Sequence, residues 1–121
     1  LHDLIPLMTR EDLTAIQDTV EETYLSDSVV NYIVSLIGAT RSSPDILRGA
    51  SPRATLAVTA MAKSVARLRG RDYVTQADVK EVFAHTIAHR LILSPKAEAQ
   101  GKQPQAVLQD ILAAVPAPRL R

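Results

Sequence analysis

The stretch GASPRATLAV, Gly49 to Val58, sets a cation where a helix disfavours one. Ser51 is a residue type suited to an N-cap, Pro52 to the first helical position, and an Ala/Leu/Val/Met pattern follows, which predicts a helix starting here. Arg53 then falls in the first turn, beside N–H groups of partial positive charge, at a cost of roughly 0.3–1 kcal/mol where a carboxylate would gain as much. The residues alone leave two readings open. In one, an anion such as a nucleotide phosphate supplied from elsewhere is held by the free N–H groups and the planar guanidinium fork. In the other, Arg53 projects into solvent or pairs with a carboxylate such as Asp45.

Other groupings offer less. His85 and His89 stand four residues apart, a spacing that can grip zinc on a helix. The residues between them are Thr-Ile-Ala, without the glutamate of H-E-x-x-H, and no cysteine exists as a third ligand, so surface or interface histidines are the favoured reading and no metal site is expected. Glu11/Asp12 and Glu21/Glu22 are sequence neighbours that point in different directions on a helix and make poor acid–base pairs. Arg67, Arg69 and Arg71 form a basic run, but Asp72 follows and no aromatic platform is interleaved for stacked bases. Lys+Arg 14 against Asp+Glu 13 leaves a net charge of +1, which gives no global field to gather nucleic acid or anionic lipid. The chain contains no G-x-x-x-x-G-K-[ST], no G-x-G-x-x-G and no G-x-S-x-G. The 121 residues are therefore not expected to catalyse a reaction on their own.

The elements that must position Arg53 are helical. With 46% hydrophobic residues, 3% aromatic ones and no Trp, the composition reads as a helix-rich globule with one core. No window approaches the ~20 apolar residues of a membrane span, and the opening LHDLIPLM lacks the basic region of a signal peptide. Leu1 in place of an initiator Met leads us to expect that the numbering begins inside a longer chain. Cap signals predict the helices in turn: Thr9 with Asp12 before a stripe of Leu13, Ile16 and Val20; Ser26 before Val29, Val30, Ile33, Leu36 and Ile37, with Gly38 near the end. A loop follows over Arg41 to Ala50. The third helix, Pro52 to about Arg69, is expected to face Leu56, Ala60, Met61, Ser64, Val65 and Leu68 inward and to stop at Gly70. Thr75 and Asp78 predict a capping box for the fourth helix, which runs to His89 with Val79, Val82, Phe83 and Ile87 as its stripe. Pro104 opens a last short helix ending at Pro116. The fold class is thus all-α, a small bundle of four to five helices, with Asp72–Val74 and Leu91–Leu93 as a candidate minimal two-strand ribbon.

GASPRATLAV, RGRDYVTQADVKEV and HRLILSPKAEAQG together resemble the C-terminal lid of MoxR-type AAA+ ATPases, and TYLSDSVVNYIVSLIGATR is similar to the same lid's earlier helices. The resemblance runs from Asp18 to Val115, with the three blocks in the family's order and approximate spacing. It implies that residues 1–8 are a linker from an upstream ATPase domain, 9–115 the lid and 116–121 a flexible tail. It implies that Arg53 is the sensor 2 arginine, a catalytic residue reaching the γ-phosphate of ATP, with Ser51 beside it in the cofactor-binding set. ATP and Mg²⁺ belong in this reading to the parent protein, a cytoplasmic ATPase with chaperone-like activity in assembling or maturing protein complexes. Implied partners are the core domain of the same chain, neighbouring subunits of a ring and von Willebrand A domain proteins; membrane and nucleic acid are not among them. The Walker A and B motifs, sensor 1 and the arginine finger are absent from this sequence. Two alternatives stay open: the lid of a magnesium-chelatase-like clade, and a non-enzymatic helical module that binds DNA or protein.

Overall fold

Capping chemistry sets where the helices begin. The computed structural model of the chain describes residues 10–116. It has helices α1 (Arg10–Glu21), α2 (Asp27–Ser42), α3 (Pro52–Leu68), α4 (Gln76–Ile87), α5 (Pro95–Ala99) and α6 (Pro104–Ala114), and strands β1 (Ile46–Arg48) and β2 (Ile92–Leu93). The Ser26 hydroxyl accepts the Val29 N–H at the start of α2, and Thr75 and Asp78 complete the expected reciprocal box at the start of α4. Proline supplies the first residue of α3, α5 and α6, where its missing N–H costs nothing. The Thr9 cap, and the side chains of Asp12, Leu13 and Ile16, lie outside the described residues. At the end of α3, Gly70 takes φ +76°, and the Arg71 and Gly70 N–H groups turn back to the Ala66 and Arg67 carbonyls at 2.9 and 3.0 Å. That left-handed turn reverses the chain into α4 as a tight helical hairpin.

The core gathers Val29, Ile33, Leu36 and Ile37 of α2, Val79, Val82, Phe83 and Ile87 of α4, and Val107, Leu108 and Ile111 of α6 around α3. The inward face of α3 differs from the expected one. Ala54, Val58, Ala62 and Ala66 are fully buried, whereas Leu56, Met61 and Leu68 are 71%, 48% and 86% exposed, Ala60 is exposed, and Ser64 and Val65 are half-buried. Small residues at four-residue intervals let the α3 backbone lie close to its neighbours, so the apolar bulk points away. On α2 the expected face is inside except for Val30, which is 37% exposed, and Tyr32 and Thr40 join it. The helix also runs past Gly38 to Ser42, into the segment expected as loop.

A two-strand ribbon exists, but with a different partner. Strand β1 pairs antiparallel with β2, Ile46 opposite Leu93 and Arg48 opposite Ile92, while Tyr73 makes an isolated bridge with Tyr24. The reason is geometric: Asp72–Val74 precede α4 and Leu91–Leu93 follow it, so its 12 residues hold the two segments roughly 18 Å apart. Past Ile87 the chain tightens into a 3-10 turn over Ala88–Arg90, which carries His89 off the end of the predicted helix. The short α5 was not expected from sequence; Ser94 caps it and Gly101, at φ +73°, closes it. The all-α class with a minimal ribbon stands, now with six helices among the described residues.

Candidate functional site

Arg53 sits in the first turn of α3 with an exposed side chain. The carboxylate weighed as its partner is engaged elsewhere: Asp45 holds Lys102 Nζ at 2.9 Å. Among the described residues Arg53 has no ion pair, and the first turn of α3 has no acidic residue. Ser51 stands at the N-cap with extended backbone, φ −80° and ψ 166°, yet its hydroxyl accepts no N–H from the helix; only its carbonyl does, from Ala54 at 2.9 Å. The exposed hydroxyl of Ser51, the exposed guanidinium of Arg53 and a helix start without a side-chain cap thus share one surface.

That helix start is fastened from behind. The fully buried Thr40 donates its hydroxyl to the Ile37 carbonyl at 2.6 Å and accepts the Ala50 N–H at 3.1 Å, and Arg41 Nε donates to the Ala50 carbonyl at 3.1 Å. Both polar groups of the residue preceding the N-cap are therefore held by the last turn of α2. Gly49 allows the approach: a Cβ there would stand 2.8 Å from the Thr40 carbonyl oxygen and 2.9 Å from the Arg41 nitrogen. Arg41 carried no assignable role in the sequence, because nothing in its spacing shows that the chain returns to it nine residues later.

The basic run is spent on internal contacts at the other end of α3. Arg67 Nε donates to Thr23 Oγ1 at 2.8 Å, and Arg69 pairs with Glu81 at 2.7 Å. Arg71 forms a two-pronged bond with the fully buried carboxylate of Asp78, at 2.7 and 2.6 Å. Burial pushes that carboxyl up, but bonds from Arg71 and the Thr75 N–H, with the charge of Arg71, outweigh it and hold Asp78 below its ordinary value. RGRDYVTQAD is thus a structural staple around the α3–α4 turn. His85 and His89, both exposed, line a groove of about 390 Å³ with Ala57, Ala60, Met61, Thr86 and Arg90, which offers neither a carboxylate nor a thiol as a further ligand. Among the described residues no three His, Cys, Asp or Glu side chains gather. A second groove of about 530 Å³ runs between α1 and α3, lined by Ala15, Thr19, Val20, Ser64, Arg67 and Leu68.

Comparison with known proteins places this geometry in a family. The family model of the AAA lid domain matches residues 38–111, which include the Thr40–Ala50 contacts, Arg53 and the Arg71–Asp78 staple. Chaperone MoxR1 of Mycobacterium tuberculosis is 33% identical over 123 residues, covering 94% of this chain and 33% of that protein. Protein YeaC of Bacillus subtilis is 34% identical over 118 residues, covering 98% and 37%. A crystal structure of a Cytophaga hutchinsonii protein, described as a candidate ATPase, superposes with a TM-score of 0.84 at 32% identity, over 90% of this chain and 36% of that one. The chain spans about a third of the length of each of these relatives. Among the described residues, no helix is long and apolar enough to cross a membrane. With more than half of its residues matched and its helices superposing on a solved relative, the chain belongs to the AAA lid domain family, as the lid of a MoxR-type AAA+ ATPase.

Proposed function

We propose that this lid is the sensor 2 element of an ATP-hydrolysing, chaperone-like protein, and that Arg53 reaches the γ-phosphate of ATP held on the ATPase domain. One observation carries the reading: Arg53 stands exposed and without a carboxylate partner among the described residues, at a helix start whose N-cap side chain is uncommitted. Such a start attracts anions through its N–H groups, and the guanidinium adds a fork matched to phosphate oxygens. Ser51 offers a hydroxyl on the same surface. Mg-ATP supplies the phosphoryl group that passes to water, and Arg53 neutralises charge on its oxygens as that transfer proceeds. In this reading Mg²⁺ accompanies ATP on the ATPase domain, and the lid adds the cationic side chain of Arg53.

In this reading residues 1–8 link the lid to that domain, 9–115 form the lid and 116–121 a tail. The protein works in the cytoplasm, in a ring, on protein complexes under assembly or maturation, with von Willebrand A domain proteins as candidate partners. The apolar side chains that α3 turns outward, Leu56, Met61 and Leu68, pack on the ATPase domains. Steady-state ATP hydrolysis by the full-length protein tests the central role. Arg53→Ala is expected to lower kcat by roughly 10²–10³, the usual loss for one preorganised charge in such a site. Lysine should restore little, since it offers a point charge in place of a fork. Turnover within twofold of the parent protein would overturn the assignment.

A further inference from the structure

We propose that Thr40, Arg41 and Gly49 form a clamp that aims Arg53, an inference that rests on the sensor 2 reading above. A helix that leaves its N-terminus open to a ligand gives up the contact that ordinarily fixes how the chain enters it. The side chain at the N-cap of α3, Ser51, makes no such contact. In its place, the N–H and the carbonyl of Ala50, three residues before Arg53, are both held by α2, through Thr40 Oγ1 at 3.1 Å and Arg41 Nε at 3.1 Å. Thr40 cannot drift, because it is fully buried and bonded to the Ile37 carbonyl at 2.6 Å. Gly49 completes the clamp by admitting the loop to a distance that a Cβ would forbid. The clamp joins α2 to the start of α3, so that the guanidinium and the helix it stands on keep one direction relative to the rest of the lid. Thr40, Arg41 and Gly49 are positioning residues: they act through Arg53. Misplacing a reacting group by about 1 Å can cost about 10²-fold in rate, so a loosened clamp should be visible in turnover.

The test is a double-mutant cycle in the full-length protein, read by kcat and KM for Mg-ATP. Thr40→Val keeps the shape and removes the hydroxyl; it is expected to lower kcat about tenfold while KM stays within about twofold, and Thr40→Ser to restore turnover. In an Arg53→Ala background Thr40→Val should lower kcat by less than about twofold, because groups that act as a unit are not additive. Arg41→Met changes an exposed side chain and serves as a second probe: several-fold lower kcat with Arg53 present, none without it. If Thr40→Val fails to fold, the Arg41→Met cycle decides in the same way. Normal turnover of the clamp variants beside an impaired Arg53→Ala, or equal losses in both backgrounds, overturns the clamp alone. Normal turnover of Arg53→Ala overturns the sensor reading and the clamp with it.

Discussion

The carboxylate of Asp78 is fully buried, closes the capping box with Thr75 and accepts a two-pronged bond from Arg71 at 2.7 and 2.6 Å. Its place three residues after Thr75 predicts the capping box, and the box is present. Its bidentate bond to Arg71 was not legible, because it depends on Gly70 turning the chain back so that the side chain at 71 meets the first turn of α4. The physical consequence is a pH dependence. An unfolded aspartate titrates at about 3.9, whereas folded Asp78 lies below its ordinary value, so the stability it confers is complete above the unfolded value and is lost as pH falls through the folded one. Asp78→Asn should cost about 3 kcal/mol at neutral pH, the lower end of the range for breaking a buried pair, since the Arg71 side chain retains 22% exposure. Thermal unfolding of both proteins from neutral to acidic pH checks this. The gap is expected to shrink below about pH 4; a gap that stays constant to the lowest pH would mean that the carboxylate charge is not what matters.

At the scale of elements, the helices and their caps were readable and their faces less so. The buried faces of α2, α4 and α6 are built mainly of large apolar residues, as an apolar stripe assumes, although Val30 and Val34 of α2 stay outside and Thr40 goes in. On α3 the rule inverts, because close packing against its neighbours selects alanine at 54, 62 and 66, with Val58 between them. Sequence periodicity sees Leu56, Met61 and Leu68 as core; only the packed neighbours show that these positions lie open. The ribbon formed within Leu91–Leu93 as expected but took β1 as its partner in place of Asp72–Val74, since strand pairing over such short segments is decided by which helix ends come together. The outward face of α3 makes a prediction. Leu68→Gln should change the stability of the isolated lid by no more than about 0.5 kcal/mol, as an ordinary surface substitution does. In the full-length protein it should lower the thermal midpoint or loosen ring assembly, read by calorimetry and light scattering. A large destabilisation of the isolated lid would mean that Leu68 belongs to the core, as its spacing on the helix suggests.

For the whole molecule, one end of the lid offers an exposed arginine at a helix start without a side-chain cap, which we propose serves phosphate, and the basic run at the far end of that helix is engaged in packing contacts. A single guanidinium and a few N–H groups cannot replace a phosphate-binding loop. Calorimetric titration of the isolated 121 residues with Mg-ATP should therefore show millimolar binding at best. A micromolar dissociation constant would mean that the lid holds nucleotide unaided. Family membership was legible in three sequence blocks, and the structure supplies a physical reason for two of them: GASPRA is the clamped helix start, and RGRDYVTQAD is the stapled turn at its far end.

If Arg53 attends the third phosphate and not the nucleotide at large, its removal must separate nucleotides that carry that phosphate from those that do not. Affinities of the full-length protein for a non-hydrolysable ATP analogue and for ADP, measured side by side with and without Arg53→Ala, test it most directly. A hydrogen bond to a charged group contributes about 1.5–3 kcal/mol, so the substitution should weaken the ATP analogue by roughly 10- to 100-fold and leave ADP within about twofold. Equal weakening of both nucleotides, or of neither, would contradict the account.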